Sequence, residues 1–476
     1  MESEPFLEEV EPPISQFIDD TINAIGMGRY QWRLFYLSGL GWMVDNMQIQ
    51  AVAIILPQIA LEYSLKGAQI GILSSATLVG MMLGGLFWGY VADIVGRNAS
   101  YKLPLLFASV FGILASFSTS FTLICFNFAI LGFGVGGSLP CDGAMLIDLL
   151  PKQNHSLLTL LSIFWAFGQI VASVLAIFLM PGFSCIVGSE CTVEKNIGWR
   201  YLQLSISIIT LSIVTCRTFS AVYESPRLLV SLGKNDEAFR ILEDLSGLNN
   251  VDFPESTSRM YESRNSINPN SRIKYDLSHL SCLFEKEMIG TTVILWLIWG
   301  TTTFAYTIFN NFLPLFIAEY VIDTKEIYIR YLIFSIFGIP GSILGMFLSD
   351  SKVGRKGTMS AAALGTALFV LLFSVLANKE LRLIASCGVS LLQNAMYGVI
   401  YSYSPEVFPL KVRGTAVGIA AALGRIAGSI APLITGWLLS NFGLAIPLYL
   451  SSFLFLITSI LMVSLPIETR QELNSI

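Results

Sequence analysis

The stretch GYVADIVGR, residues 89–97, joins two apolar runs and is decisive for the fold, because a related stretch occurs in the second half of the chain. That copy is DSKVGR, residues 350–355, and its acid follows Asp93 by 257 positions. Glycines permit a tight turn and close helix approach, while the acid and arginine can pair at the membrane surface and hold one conformation shut. The two copies therefore predict a repeated unit with a gate in each half.

Three further pairs of segments recur at nearly the same spacing, 256–258 residues. They are LPQIALEY (56–63) with LPLFIAEY (313–320), DLLPK (148–152) with EVFPLK (406–411), and GQI (168–170) with GRI (424–426). Four pairs in matching places indicate duplication. The expected architecture is six helices followed by six in the same orientation, the parallel repeat of transporters whose halves rock about a central site.

The composition places the chain in a membrane. It is 54% hydrophobic and only 13% charged over 476 residues, too apolar for a single soluble core. Apolar runs of about 20 residues, the length that crosses a ~30 Å hydrocarbon layer, recur along the chain, and no barrel-like alternation is present. The predicted spans are residues 36–60, 68–91, 101–119, 121–147, 156–180, 201–219, 289–317, 327–348, 358–377, 381–403, 413–437 and 444–465.

These spans predict an all-α membrane protein of twelve transmembrane helices in two six-helix bundles. Lysines and arginines are more frequent on one side of the predicted spans, which puts both termini in the cytoplasm. The acidic start lacks the order of a cleaved signal peptide. The predicted parts are a cytoplasmic N-terminal tail (1–35), the first bundle (36–219), a cytoplasmic central loop with a short amphipathic helix (220–288), the second bundle (289–465) and a cytoplasmic C-terminal tail (466–476).

Composition and motifs also exclude several classes of function. The net charge of −5 and the acidic N-terminal region argue against a nucleic-acid partner. No GxxxxGK[ST] loop and no metal or catalytic cluster occurs, so we expect no enzyme activity, no cofactor and no direct ATP drive. Cys185 and Cys191 fall in a predicted outer loop, where an oxidising compartment would permit a disulfide.

With its second copy, the 89–97 motif resembles the inner-loop signature of the major facilitator superfamily, although Asn98 replaces the usual basic residue. ESPR (224–227), GWR (198–200) and PEVFP (405–409) with the following Arg413-Gly414 are similar to the sugar-porter branch. GFGVGGSLPCDG (132–143), followed by Asp148, resembles the synaptic-vesicle-glycoprotein-like subgroup and its fungal relatives.

This resemblance covers residues 36–465 and implies the major facilitator fold and transport. We expect a monomer in the plasma membrane or an internal membrane of a eukaryotic cell. We interpret the charged and glycine residues of the motifs as gates rather than solute ligands. The predicted gate residues are Gly89, Asp93, Gly96, Arg97, Asp148, Glu224, Arg227, Asp350, Gly354, Arg355, Glu406 and Arg413.

Three charged residues lie well inside predicted spans: Asp45, Asp142 and Arg425. A lone ionised group there costs at least ~2.5–3.5 kcal/mol, so function is the usual reason for its presence. Asp45 is the first candidate for proton coupling and Asp142 the second. Alternatively, Asp45 lines the cavity without titrating, and Asp142 and Arg425 only neutralise partners. Sugar porters carry an arginine just before the glycine motif; FNFAILGFG (126–134) has none, which argues against a relay that uses it.

The mid-membrane polar and aromatic residues of both halves are expected to surround the solute. Gln169 and Arg425 occupy equivalent repeat positions, which suggests facing walls of one cavity, and Arg425 would favour an anionic solute. The predicted solute-binding residues are Asn46, Gln50, Trp165, Gln169, Tyr306, Asn310, Asn311, Gln393, Asn394, Tyr397 and Arg425.

The sequence therefore predicts a secondary active transporter that moves a small polar organic solute by alternating access, as a proton symporter. Its partners would be the solute, membrane lipid and the proton. One alternative is a facilitative sugar carrier, which the absence of a second glutamine near Gln169 argues against. Another is a sensor or trafficking protein that keeps the fold without transport, which the two gate motifs argue against.

Overall fold

The computed structural model describes residues 14–154, 157–185, 191–220, 222–253, 283–285, 288–408 and 413–469. Twelve helical segments in it are long and apolar enough to cross a membrane, which confirms the predicted number. The spanning helices are α2 (Arg29–Glu62), α3 (Ala68–Ile94), α4 (Arg97–Ser116), α5 (Phe121–Leu149), α7 (Ser162–Leu179), α8 (Gly198–Phe219), α11 (Ile289–Ala318), α12 with α13 (Thr324–Ile336 and Gly338–Asp350), α14 (Gly354–Val375), α15 (Lys379–Val407), α16 (Arg413–Phe442) and α17 (Ala445–Val463).

Four short helices complete the described structure: α1 (Ile14–Ile25), α6 (Leu157–Leu160), α9 (Pro226–Ser231) and α10 (Asn235–Asn249). Helix α10 contains the amphipathic stretch of the central loop. Ala238, Leu242 and Leu245 are buried on its inner face, and α1 packs against it through a ring contact between Phe17 and Phe239. The helix runs past Gly247, and the left-handed backbone of Asn250 ends it.

Two helix boundaries differ from the predictions in ways that matter for packing. The first span begins at Arg29 rather than residue 36, so polar residues of the expected tail continue the helix. The eighth span is two helices joined at Phe337. Pro340 lies in the first turn of the second helix, where its missing N–H has no intrahelical acceptor to lose.

Close packing within the first bundle depends on the glycines shared by α3 and α5. A Cβ atom at Gly84 would lie 1.9 Å from the Phe133 carbonyl oxygen, and one at Gly136 would lie 2.0 Å from that of Met81. Any side chain there would push the backbones apart. The glycines at 132, 134, 136 and 137 therefore serve helix packing.

The two halves meet at the end of the bundle that the predicted topology makes the outer one. A Cβ atom at Gly71 of α3 would lie 2.1 Å from the Pro432 carbonyl oxygen of α16. Ser173 of α7 hydrogen-bonds Ser335 of α12 at 3.1 Å between hydroxyl oxygens. The backbone contact between α3 and α16 and the Ser173–Ser335 hydrogen bond hold the two halves together and close the outer end.

At this outer end the repeated acids take similar partners. Both oxygens of Glu62 accept from the Arg200 guanidinium, at 2.8 and 3.1 Å. In the second half Glu319 faces Arg382 at 4.0 Å. Cys185 and Cys191 form a disulfide in the loop before α8.

Candidate solute and proton site

Asp45 lies on the inner face of α2 with no exposed surface. One of its carboxylate oxygens accepts a hydrogen bond from the Ser138 hydroxyl of α5, and the other, Oδ2, has no hydrogen-bond partner. Three further charges act on this carboxyl: Asp142, Arg217 and Arg425. Asp45 thus has a free oxygen in a low-dielectric interior, the arrangement that a proton-binding carboxyl needs.

Asp142, by contrast, forms an ion pair with Arg217. Its two oxygens accept from the two Nη atoms of Arg217 at 2.9 and 2.7 Å, and both side chains are fully buried. Arg217 also donates to the carbonyl oxygens of Leu37 and Tyr101, and its guanidinium stacks 3.9 Å from the Tyr101 ring. This arrangement favours the alternative in which Asp142 neutralises a partner. Arg217 lies near the end of the predicted span 201–219, and its side chain points into the bundle.

Arg425 extends from α16 of the second half onto α3 of the first. Its Nη1 lies 3.5 Å from the Met81 carbonyl oxygen, and a Cβ atom at Gly85 would lie 1.7 Å from the same nitrogen. The glycine therefore makes room for the guanidinium. No carboxylate among the described residues forms an ion pair with Arg425, although the charge of Asp45 and the Tyr401 hydroxyl both act on it.

A chain of polar side chains links the halves above Asp45. The Asn46 amide donates to the Trp165 carbonyl oxygen at 2.7 Å, and Gln50 donates to Asn46 at 3.1 Å. Gln50 also meets the second half, through the hydroxyls of Tyr306 and Tyr331. Gln50 thus connects α2 directly to α11 and α12.

Aromatic side chains form a cluster around the same level. Tyr401 contacts Trp42, Trp165 and Trp299, with ring centroids 5.1 to 6.3 Å apart, and Tyr306 meets Tyr397 edge to face at 5.3 Å. Tyr306, Tyr397 and Tyr401 lie deep in the protein but retain accessible surface. That surface therefore faces a space inside the bundle.

The remaining predicted solute-binding residues lie in the surrounding wall. Asn310 donates to the Gln393 side-chain oxygen at 3.0 Å, and Asn311 is buried beside it on α11. Asn394 donates within its own helix, to the Ser390 carbonyl oxygen. Gln169 lies beside Tyr331 of α12, and the Arg425 guanidinium lies against Met81 of α3, so each of the two side chains contacts the opposite half.

The gate residues of the first half form one cluster at the predicted inner surface. Glu224 caps the start of α4, accepting from the backbone N–H groups of Arg97 and Asn98 at 2.7 and 3.1 Å. The Arg97 side chain pairs with Asp148 at 3.3 Å, and Arg227 lies 3.8 Å from the same acid. Gly96 has φ of +129°, a conformation that favours glycine.

The second half repeats this arrangement with Glu468 in the place of Glu224. Glu468 accepts from the N–H groups of Arg355 and Lys356 at 2.9 and 3.0 Å, and Arg355 pairs with Glu406 at 3.3 Å and Asp350 at 3.1 Å. Gly354 again has positive φ, +73°. The capping acid of this half was missed by the sequence reasoning.

Every ion pair among the described residues lies within one half, so neither cluster is a pair across the two halves. Gly89 has open space where a Cβ atom would stand, so the expected close helix approach there is wrong. The side chains of Asp93 and Arg413 lie outside the described part of the structure.

Comparisons with known proteins place these features in a family. The model of the sugar (and other) transporter family matches residues 22–475. The chain belongs to this family, within the major facilitator superfamily. Among relatives, the MFS siderochrome iron transporter 1 of Ceriporiopsis subvermispora is 34% identical over 98% of this chain and 92% of its own length. The synaptic vesicle 2-related protein of Xenopus laevis is 27% identical over 95% of this chain and 81% of its own.

The solved structures support the same fold. The xylose transporter XylE from E. coli, in a partially occluded inward-open conformation, aligns with a TM-score of 0.72 at 17% identity, over 92% of this chain and 98% of that one. The resemblance predicted from the motifs is therefore confirmed, and this family member is a multi-pass membrane transporter.

Several site residues of this family member were missed from its sequence. Trp42 precedes Asn46 by four positions, and Tyr401 follows Tyr397 by four. Because residues four apart share a helix face, this spacing could have identified both. Arg217 and Tyr331 carried no such local signal, since their partners are distant in sequence.

Proposed function

We propose that this chain is a proton-coupled secondary active transporter of a small polar organic solute, working by alternating access. The observation that carries the proposal is Asp45: a fully buried carboxyl with one unpartnered oxygen, beside the polar and aromatic residues where the halves meet. A proton bound there would be released when the site opens to the other side. Both termini would be cytoplasmic, in the plasma membrane or an internal membrane of a eukaryotic cell, and the monomer would suffice.

Reconstitution into liposomes tests the proposal. A pH-sensitive dye trapped inside reports proton entry after addition of each member of a solute panel: xylose, glucose, alanine, lactate, benzoate and benzamide. We expect at least one solute to drive protons inward and to accumulate when an inward proton gradient is imposed. Solute entry without proton entry would reject coupling, and no entry of any solute would support a sensor or trafficking role.

A facilitative sugar carrier is the second candidate, because the family to which the chain belongs is that of sugar and other transporters. The same liposomes separate the two. Equilibration of xylose or glucose, unaffected by the proton gradient, would favour the facilitative carrier.

Charge reversal at the gate clusters should alter the balance between conformations. Arg97→Glu would place an acid beside Asp148, and Arg355→Glu would do the same beside Glu406. We expect folded protein that is biased away from the outward-facing state. A Ser335→Cys reporter at the outer contact should then react about two- to fivefold more slowly with an impermeant reagent added outside, as ~0.5–1 kcal/mol of ion-pair energy implies.

Arg240→Glu is the matched control, since Arg240 is exposed on α10. The reporter rate should be unchanged in that variant. Equal rates in all three charge-reversed proteins would mean that the clusters serve only to hold helix ends together and do not gate.

A further inference from the structure

We infer that the central site takes an organic anion with a planar apolar body, such as an aromatic carboxylate, and not a neutral polyol. This inference rests on the proposed transport function and names the class of solute for the same site. Three independent features carry it: the unpaired hydrogen-bond donors, the balance of buried charge, and the aromatic cluster.

Three side-chain amide oxygens in the site already accept a hydrogen bond from a neighbour. The side-chain oxygen of Asn46 accepts from Gln50, and that of Gln50 accepts from the Tyr331 hydroxyl. The side-chain oxygen of Gln393 accepts from Asn310. Of these three amides, Gln393 has an N–H group without a partner, whereas Gln50 already donates to Asn46 and Tyr306.

By contrast, several hydrogen-bond donors around the site have no partner. Within the described part of the chain, three buried N–H groups around the site have no partner: Nε1 of Trp42, Nε1 of Trp165 and Nε2 of Gln393. The unpartnered oxygens beside them are Asp45 Oδ2 and Ser390 Oγ. An unsatisfied buried donor costs about 1–3 kcal/mol, which a ligand's acceptors would recover. Each hydroxyl of a polyol brings a donor of its own, whereas a carboxylate only accepts, so the surplus fits the anion.

The buried charges lead to the same solute class. Asp142 and Arg217 cancel each other in a bidentate pair. Asp45 and Arg425 remain, one on each half, and their charges balance only while Asp45 is ionised. When Asp45 takes up a proton, Arg425 becomes an uncompensated cation in a low-dielectric interior, which is costly. A carboxylate solute would restore neutrality, so proton binding and anion binding would favour each other across the two halves.

The aromatic cluster provides the surface for the apolar body. Trp165 meets Tyr401 edge to face at 87°, and Tyr306 meets Tyr397 at 84°. An edge-to-face pair covers one face of one ring, and Tyr306, Tyr397 and Tyr401 keep part of their surface accessible to a flat molecule. Tyr401 also lies within electrostatic range of both Asp45 and Arg425, which places ring surface next to the charges.

The test uses the full-length protein with three probes: benzoate, its neutral amide benzamide, and xylose. Ligand-dependent thermal stabilisation in detergent measures binding, and trapped-dye liposomes measure proton-coupled entry. We expect benzoate to bind at least tenfold more tightly than benzamide or xylose. Arg425→Gln should weaken benzoate roughly ten- to hundredfold, the loss of one charged hydrogen-bonded contact, and Arg425→Lys should lie between. The exposed control Arg240→Gln should bind benzoate like the wild type.

The two readouts separate the inference from the function on which it rests. Benzoate binding without proton-coupled entry would reject the proposed transport and leave the anion site standing. Proton-coupled entry of xylose or benzamide, with benzoate no better, would overturn the anion site and leave transport standing. Should Arg425→Gln fail to fold, the anion site is still tested by Arg425→Lys and by comparing benzoate with benzamide and xylose on the wild-type protein. Equal responses to benzoate and benzamide, including none to either, contradict the inference.

Discussion

Asp45→Asn should abolish uphill accumulation of solute while leaving solute exchange across the membrane largely intact. The amide keeps the shape of the carboxyl and an oxygen that can accept from the Ser138 hydroxyl, so the fold should be retained. The amide cannot bind and release a proton, however, so an imposed proton gradient cannot drive solute accumulation. We expect the accumulation ratio in liposomes to fall to about one, the value that any uncoupled carrier reaches.

Exchange between labelled solute inside and unlabelled solute outside needs no net proton movement, so it separates coupling from binding. The solute of the panel with the largest wild-type signal serves in both measurements. Asp252→Asn is the matched control because that acid is exposed beyond α10. Should the Asp45 variant still accumulate solute against its gradient, the proton site lies elsewhere; loss of both accumulation and exchange would assign Asp45 to binding or structure.

Breaking the Asp142–Arg217 pair should have the largest effect on stability. Both side chains are fully buried and joined by two hydrogen bonds of 2.9 and 2.7 Å, so removing one leaves an unpaired charge in the bundle. Such a loss costs about 3–5 kcal/mol. Either single variant, Asp142→Asn or Arg217→Gln, should therefore give much less folded protein in membranes and a lower thermal midpoint after purification.

The two single variants should differ in their response to pH. Arg217→Gln leaves the Asp142 carboxyl without a partner, and this carboxyl can become neutral by taking up a proton. The stability of this variant should therefore rise as the pH is lowered. Asp142→Asn strands a guanidinium that stays charged at any accessible pH, so acid should not rescue it. The double variant should recover part of the loss, because neither residue of the pair is then left as an unpaired buried charge. Full stability in both single variants would mean that water reaches the pair.

Much of the architecture could be predicted from the sequence because the membrane imposes it. Apolar runs of spanning length required helices, and four repeated segments required two similar halves. The repeats also predicted equivalence in detail: Arg97 pairs with Asp148 as Arg355 pairs with Glu406. The repeat spacing did not predict that Glu224 and Glu468 are equivalent, because these two acids do not share that spacing. Both act by accepting hydrogen bonds from backbone N–H groups.

The contents of the site were only partly predictable. A charged residue inside an apolar run is visible in the sequence, and so Asp45, Asp142 and Arg425 were found. Which charges neutralise each other is a matter of distance between helices. Asp142 is paired by Arg217, 75 positions away and near a helix end, where a sequence reader expects a solvated side chain. Arg425 meets the backbone of the opposite half and no described acid.

The sequence by itself thus determined that this is a twelve-helix duplicated membrane transporter with a few costly buried charges, because hydrophobic length and repeat spacing are properties of the chain. Only the tertiary structure decided that Asp142 is neutralised while Asp45 keeps a free oxygen, and that the side-chain oxygen of Gln393 accepts a hydrogen bond while its Nε2 has no partner. The physical reason is that charge and hydrogen-bond balance depend on contacts within about 3 Å between helices far apart in sequence, which no local pattern encodes.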